Sequence, residues 1–262
     1  MRRIFFAILV IVVTASSAFA DQWNKAYQVG SKPSLRVLTN DGSVRISVSK
    51  GSMISAAVRT EGYKIATEDV RIIERQNGDS VELIVKVPER LHIGVVRQRR
   101  LEIAVTVPAN TQLDLRSSDG SIRVFGTRAP ASLSSGDGSI EVSDFEGPLQ
   151  ARTSDGSIRA AGRFDNLDLQ TSDGSIQCEV RPGSRMANRW QVHSGDGSIR
   201  LRLPQEFAAE LDAHASDGRV RSGMPVTISG KVSRNAIRGK LNSGGQLLEV
   251  SSGDGSISID RW

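Results

Sequence analysis

With a single cysteine, Cys178, this chain of 262 residues has no internal disulfide available, so packing and backbone hydrogen bonds must hold it together. It also lacks a strong charge of either sign. Setting aside Arg2 and Arg3, 32 basic residues face 29 acidic ones, an excess too small to name a nucleic acid as partner. Beyond the first twenty residues no apolar run approaches the roughly 20 residues of a membrane-spanning helix, so no transmembrane segment is expected after that point. Aromatic residues are scarce, whereas glycine occurs 25 times, which suits a chain that turns often.

The first twenty residues are distinct from the rest. Arg2 and Arg3 precede an apolar run from Ile4 to Val13 and then Ala18-Phe19-Ala20, the pattern of a secretory signal cleaved before Asp21. No cysteine follows at a lipoprotein-type position. The mature chain is therefore expected to be exported, in a periplasm or at the cell surface.

The dominant feature is a repeat. The tetrad Asp-Gly-Ser-Ile recurs at Asp119, Asp137, Asp155 and Asp173, always 18 residues apart, and returns at Asp196 and Asp254. Asp41 carries Asp-Gly-Ser-Val and Asp217 carries Asp-Gly-Arg-Val, which makes eight Asp-Gly corners. Aligned on the aspartate, four columns are apolar. Leu113, Ala131, Leu149 and Leu167 stand six residues before it, and Leu115, Leu133, Ala151 and Leu169 four before. Ile122, Ile140, Ile158 and Ile176 stand three after it, and Val124, Val142, Ala160 and Cys178 five after. Polar residues alternate with these, so each repeat reads as two short strands with one face inside.

Two folds fit that parity: a meander in which each Asp-Gly closes a hairpin, or a solenoid in which each strand pairs in parallel with its equivalent about 4.8 Å away. In-register stacking places identical residues side by side, and only the solenoid explains why the isoleucine column and the corner recur unchanged. The expectation is thus an all-β, parallel β-solenoid, right-handed, with about 18 residues per coil over 111–262, successive segments lying atop one another. Each corner glycine is expected to take a left-handed conformation. Residues 21–110 read as an irregular, partly antiparallel N-terminal region: a first rung over Ser34 to Val48, and a hairpin at Asn77-Gly78. The 37 residues from Asp217 to Asp254 read as about two coils, with Ser243-Gly-Gly245 as a degenerate turn.

The run Leu113-Asp-Leu-Arg-Ser-Ser-Asp-Gly-Ser-Ile122, the tandem Ser-Asp-Gly-Ser-Ile units and the ending Gly244-Gly-Gln-Leu-Leu-Glu-Val-Ser-Ser-Gly-Asp-Gly-Ser-Ile257 resemble a bacterial β-strand-repeat family of candidate adhesins, a domain of unknown function. The resemblance spans nearly the whole mature chain. It implies a β-helical, exported or envelope-associated protein and brings no catalytic residues with it. An envelope polysaccharide or another envelope protein is the partner class this suggests.

Three groups of side chains could carry chemistry. The stacked carboxylates of Asp119, Asp137, Asp155 and Asp173 are calcium candidates, but calcium takes 6 to 8 oxygens and each coil offers one such corner. The plainer role is that each aspartate accepts hydrogen bonds from its own turn. His193 and His214 each precede an aspartate by three residues and would be neighbours in one outward column; zinc normally takes three or four protein ligands, so an exposed ladder is the expectation. Arg123, Arg159, Arg200, Arg202 and Arg221 project from one sheet, with Arg181, Arg185 and Arg189 in an adjoining bulge. That face could hold phosphate or carboxylate groups of an anionic polymer, against the alternative of pairing with Glu141 and Glu179. Cys178 falls in an inward column and reads as a small apolar filler. A polysaccharide-cleaving enzyme needs paired carboxylates in one exceptional coil, and no repeat stands out. No catalytic residue, cofactor or resident metal is expected.

Overall fold

In the computed structural model, apolar and polar residues alternate along strands and the polypeptide turns at the Asp-Gly corners. Residues 20–62, 64–65, 69–88, 100–229 and 233–262 are described; residues 1–19 of the expected signal segment and His92 lie outside them. Among the described residues there is no helix, and 21 strands join one mixed sheet.

The regular stack comprises β8 (Gln112–Ser117), β9 (Ile122–Phe125), β10 (Ala131–Ser135), β11 (Ile140–Thr153), β12 (Ile158–Thr171), β13 (Ile176–Val180), β14 (Trp190–Ser194) and β15 (Ile199–Leu203). Every arm pairs in parallel with its equivalent in the adjoining coil. Leu113 faces Ala131, which faces Leu149, which faces Leu167; Ile122, Ile140, Ile158, Ile176 and Ile199 form the matching row on the other side of the corner. The solenoid-like expectation therefore holds over this span, with one difference. Strands β11 and β12 each run unbroken for 14 residues through the corner opposite the aspartate. Bulges between Val142 and Phe145 and between Gly147 and Leu149 let the strand bend there without ending. Asp144 (φ 51°) and Gly147 (φ 126°) supply the left-handed backbone that the bend uses.

The four apolar columns are buried from one end of the stack to the other. Their interior is aliphatic except near the bend, where Phe145, Phe164, Trp190 and Phe207 follow one another with ring centroids 6.0, 6.3 and 5.4 Å apart. These rings are buried and fill the interior beside that bend.

At both ends the spatial order departs from the order of the sequence. The N-terminal strands are β1 (Ala20–Gln28), β2 (Ser34–Thr39), β3 (Ser43–Ser49), β4 (Met53–Glu61), β5 (Arg71–Asn77), β6 (Ser80–Lys86) and β7 (Arg100–Pro108). The rung β2–β3 stacks in parallel on β8–β9, with Leu35 against Leu113 and Val44 against Ile122. Its other side is covered in parallel by β6 and β7, which come later in the chain. Beyond them the pairing turns antiparallel: β5 returns on β6 through Asn77-Gly78, β4 lies on β7, and β1 lies on β4.

The C-terminal strands are β16 (Ala209–Ala215), β17 (Val220–Ser222), β18 (Val226–Ile228), β19 (Ala236–Leu241), β20 (Leu247–Ser252) and β21 (Ile257–Arg261). The stretch between Asp217 and Asp254 is not two coils. Instead β19 runs antiparallel to β16, β18 runs antiparallel to β19, and the chain returns to lay β20–β21 between two coils already formed. Trp190 faces Leu248, which faces Leu211; Ile199 faces Ile257, which faces Val220. The coil of Asp254 thus sits between those of Asp196 and Asp217. The physical reason is that the last parallel coil would present a row of unpaired N–H and C=O groups, and an antiparallel strand laid on β16 closes that edge. Trp262 secures the return, its backbone N donating to Leu203 O at 3.2 Å and its Nε1 to Val180 O at 2.8 Å.

Candidate functional site

The Asp-Gly corner is the repeated element, and its chemistry differs from the sequence expectation in two ways. The first concerns the glycines. Among the corners only Gly42 has a positive φ, of 91°. Elsewhere glycine is required by proximity: a Cβ on Gly120 would lie 1.7 Å from Gly42 O, on Gly156 2.2 Å from Gly138 O, and on Gly174 2.0 Å from Gly156 O. Each corner rests directly on the backbone of the one before it.

The second concerns the aspartates. At Asp41 the carboxylate accepts from Gly42 N at 2.6 Å, as expected of a turn aspartate. At six of the other seven corners a Ser or Thr two residues earlier ties the turn together. Ser135 Oγ accepts from Gly138 N at 3.1 Å and donates to Gly120 O of the preceding coil at 3.0 Å. Thr171 Oγ1 accepts from Gly174 N at 3.2 Å and reaches Gly156 O at 3.0 Å; Ser194 and Ser252 repeat the arrangement at 2.9–3.0 Å. A hydroxyl both donates and accepts, so one side chain closes its own turn and ties it to the next coil. A carboxylate can only accept. The exception is the outermost coil, where Ala215 stands in this column and Asn235 Nδ2 donates to Ala215 O instead. The hydroxyl column was legible as a repeat of Ser and Thr, but nothing in composition marks such a residue as buried.

Displaced from the turn, the carboxylates of Asp119, Asp137, Asp155 and Asp173 stand exposed, one per coil, with no hydrogen bond or ion pair among the described residues. Among the described residues no three His, Cys, Asp or Glu side chains converge as a metal site. His193 and His214 are not neighbours, because the interposed coil puts Ser251 between them. His193 Nδ1 lies 2.8 Å from Ser251 Oγ, and His214 Nδ1 lies 3.8 Å from Asp212. Cys178 is buried, and burial pushes its thiol far above the usual range, which keeps it protonated.

The arginines divide into two sets. Cross-coil pairing aligns Arg123, Glu141, Arg159, Gln177, Arg200, Ser258 and Arg221 in one outward row over consecutive coils. Arg123 pairs with Glu141 at 3.5 Å, and Arg202, one step along the strand, pairs with Glu179 at 3.1 Å. In the bulge, Arg181 pairs with Asp144 at 3.0 Å and Arg189 with Glu249. Arg159, Arg200 and Arg221 have no acidic partner among the described residues: Glu141, beside Arg159, pairs with Arg123, and the coil between Arg200 and Arg221 carries Ser258. At the other end of the molecule, Tyr27 donates its hydroxyl to Glu74. Burial and that bond raise the Tyr27 ionisation, and the bond together with Lys25 at 3.1 Å lowers that of Glu74.

A family model, Toastrack DUF4097, matches residues 111–196 and 183–260. Among solved structures, a candidate cell adhesion protein from Clostridium sporogenes is 14% identical with a TM-score of 0.44, covering 92% of this chain and 100% of its own. A candidate lipid-binding protein from Parabacteroides distasonis is 12% identical with a TM-score of 0.42, over 91% of this chain and 96% of its own. A candidate adhesin from Bacteroides fragilis is 10% identical with a TM-score of 0.35, over 92% and 97%. Likenesses this distant carry no argument about what the chain does. No curated protein matches it.

Proposed function

Because the chain belongs to the Toastrack DUF4097 family, whose two matches together run from 111 to 260 over the regular stack, we propose that it is an exported, non-catalytic binding and scaffolding module of the bacterial envelope. It is adhesin-like in the sense that a long rigid face, not an enclosed pocket, meets the partner. The observation that supports this is the outward row from Arg123 to Arg221: seven consecutive coils present one side chain each at a fixed spacing of about 4.8 Å. Backbone ladders and the buried hydroxyl column fix that spacing, so the face meets its partner without paying an ordering cost. Catalysis of glycan cleavage requires one coil to differ, with two carboxylates in unlike environments; over the regular stack each coil repeats the same single corner aspartate, from Asp119 to Asp173. We take the coil as right-handed, the hand in which right-twisted strands make parallel crossovers.

The test is co-sedimentation of the purified chain with isolated bacterial envelopes. Retention in the pellet, lost when the chain is unfolded, is the expected result. A chain that stays in the supernatant, or one that turns over members of a polysaccharide panel, would overturn the proposal.

A further inference from the structure

The interposed terminal coil creates a feature that the repeat alone would not. Where the coils of Asp254 and Asp217 meet, an open groove of about 460 Å³ is lined by Arg200, Arg219, Arg221 and Arg234, together with Asp217 and Asp254. We infer that this groove binds the carboxylate or phosphate groups of an anionic polysaccharide, through its four guanidinium groups. The inference rests on the binding-module reading above and names the ligand class and the place.

Four observations carry it. First, none of the four arginines has an ion-pair partner among the described residues, whereas Arg123, Arg152, Arg163, Arg181, Arg189 and Arg202 all do. Second, Arg200 and Arg221 flank Ser258 in one row, two coil spacings or about 9.6 Å apart. Up the same row the residue between Arg123 and Arg159 is Glu141, which pairs with Arg123 from within the ladder. Replacing that glutamate by a small neutral residue leaves a gap between two forked donors, each of which matches a carboxylate or phosphate in bidentate fashion. Third, the other two arginines are held in place by backbone bonds. Ile257 N donates to Arg219 O at 2.9 Å, and Val220 N donates to Arg234 O at 3.1 Å, so the antiparallel cap brings Arg234 to the groove. Fourth, the groove is open and polar, and among the described residues no aromatic side chain lines it. An enclosed apolar site suits a small ligand, and bases require stacking platforms; a charged chain lying across the face requires neither. Asp217 and Asp254 leave the lining with a net positive charge, and they disfavour a ligand that is densely anionic throughout, which points to spaced acidic groups along a sugar polymer.

The experiment measures binding of the full chain to polygalacturonate for carboxylate and to phosphomannan for phosphate, with neutral dextran and an oligodeoxythymidylate as comparison ligands. We expect saturable, salt-sensitive binding to one or both acidic glycans, no binding to dextran, and weaker binding to the oligonucleotide. Replacing Arg200, Arg219, Arg221 and Arg234 with Ser is expected to weaken glycan binding at least tenfold. Arg59→Ser combined with Arg185→Ser, both exposed and away from the groove, is expected to change it less than twofold; circular dichroism checks that both variants fold. Equal losses in the two variants, preference for the oligonucleotide, or no glycan binding by the wild-type chain would each overturn the inference. If the wild-type chain still pellets with envelopes in that last case, the groove assignment fails alone; if it does not, the module reading fails with it.

Discussion

The buried hydroxyl column makes a claim that one atom can test. In Thr171→Val the side chain keeps its shape and its methyl group but loses the oxygen that accepts from Gly174 N at 3.2 Å and reaches Gly156 O at 3.0 Å. Thr171 is 3% exposed, so water does not readily replace either bond. Leaving a buried donor or acceptor unpaired costs about 1–3 kcal/mol, and here one of each is stranded, so the loss is expected at about 2–4 kcal/mol. Thr171→Ser keeps the hydroxyl and removes one methyl, a change of about 1 kcal/mol; serine already stands in this column at Ser135 and Ser194. Urea unfolding followed by circular dichroism reads the difference as a shift in midpoint at constant slope. If Thr171→Val is no less stable than Thr171→Ser, the hydroxyl does not tie the coils together, and the corner must be held by the backbone alone.

Three further outcomes follow from the same geometry. Gly156→Ala drives a Cβ to 2.2 Å from Gly138 O and is expected to cost about 3 kcal/mol or more, whereas Gly78→Ala, at φ 57° with nothing within 4 Å, should cost only about 1 kcal/mol; similar losses at the two sites would refute the stacking argument. Millimolar calcium should leave the melting temperature where a chelator leaves it, because each coil offers one corner aspartate and no three ligands converge among the described residues; a rise of several degrees would restore the calcium ladder. The Tyr27–Glu74 pair predicts opposite pH limits. Tyr27 ionises above its ordinary range when folded, so its contribution is complete below about pH 10 and is lost as pH rises further. Glu74 is held below its ordinary range, so its contribution is present above about pH 4.5 and is lost as pH falls through the lowered value. Wild type should therefore lose stability more steeply than Tyr27→Phe in alkali and more steeply than Glu74→Gln in acid; matching profiles would show that the pair contributes nothing.

Much of this architecture is written in the repeat, and the exceptions have physical causes. Parity in the aspartate-aligned columns identified the inward residues from Leu113 to Cys178, because burial of one strand face leaves a period of two that the sequence cannot hide. Parity does not say which coil lies beside which. The columns of Leu248 and Ile257 fit equally well after the Asp217 coil or before it, and edge closure by β19, a tertiary effect, decides. That same interposition separates His193 from His214 and leaves Arg200 and Arg221 around Ser258. The corner misled in another way. Asp-Gly is a strong turn signal, and the expected roles of aspartate acceptor and left-handed glycine are local ones, met only at Asp41 and Gly42. In the stacked corners the neighbouring coil lies so close that spacing governs the glycine and a hydroxyl displaces the carboxylate.

The placement of the terminal coil is the claim on which the groove and the separation of the histidines both depend, and paired cysteines measure it. His193 and His214 each face Ser251 from opposite sides. Adjacent coils lie about 4.8 Å apart, within the Cα range of a disulfide, and coils once removed lie near 9.6 Å, outside it; buried Cys178 does not compete. Mild oxidation should close a disulfide in His193→Cys with Ser251→Cys and leave His193→Cys with His214→Cys reduced. A chain that links positions 193 and 214 but not 193 and 251 would show coils stacked in simple sequence order, and the groove would not exist.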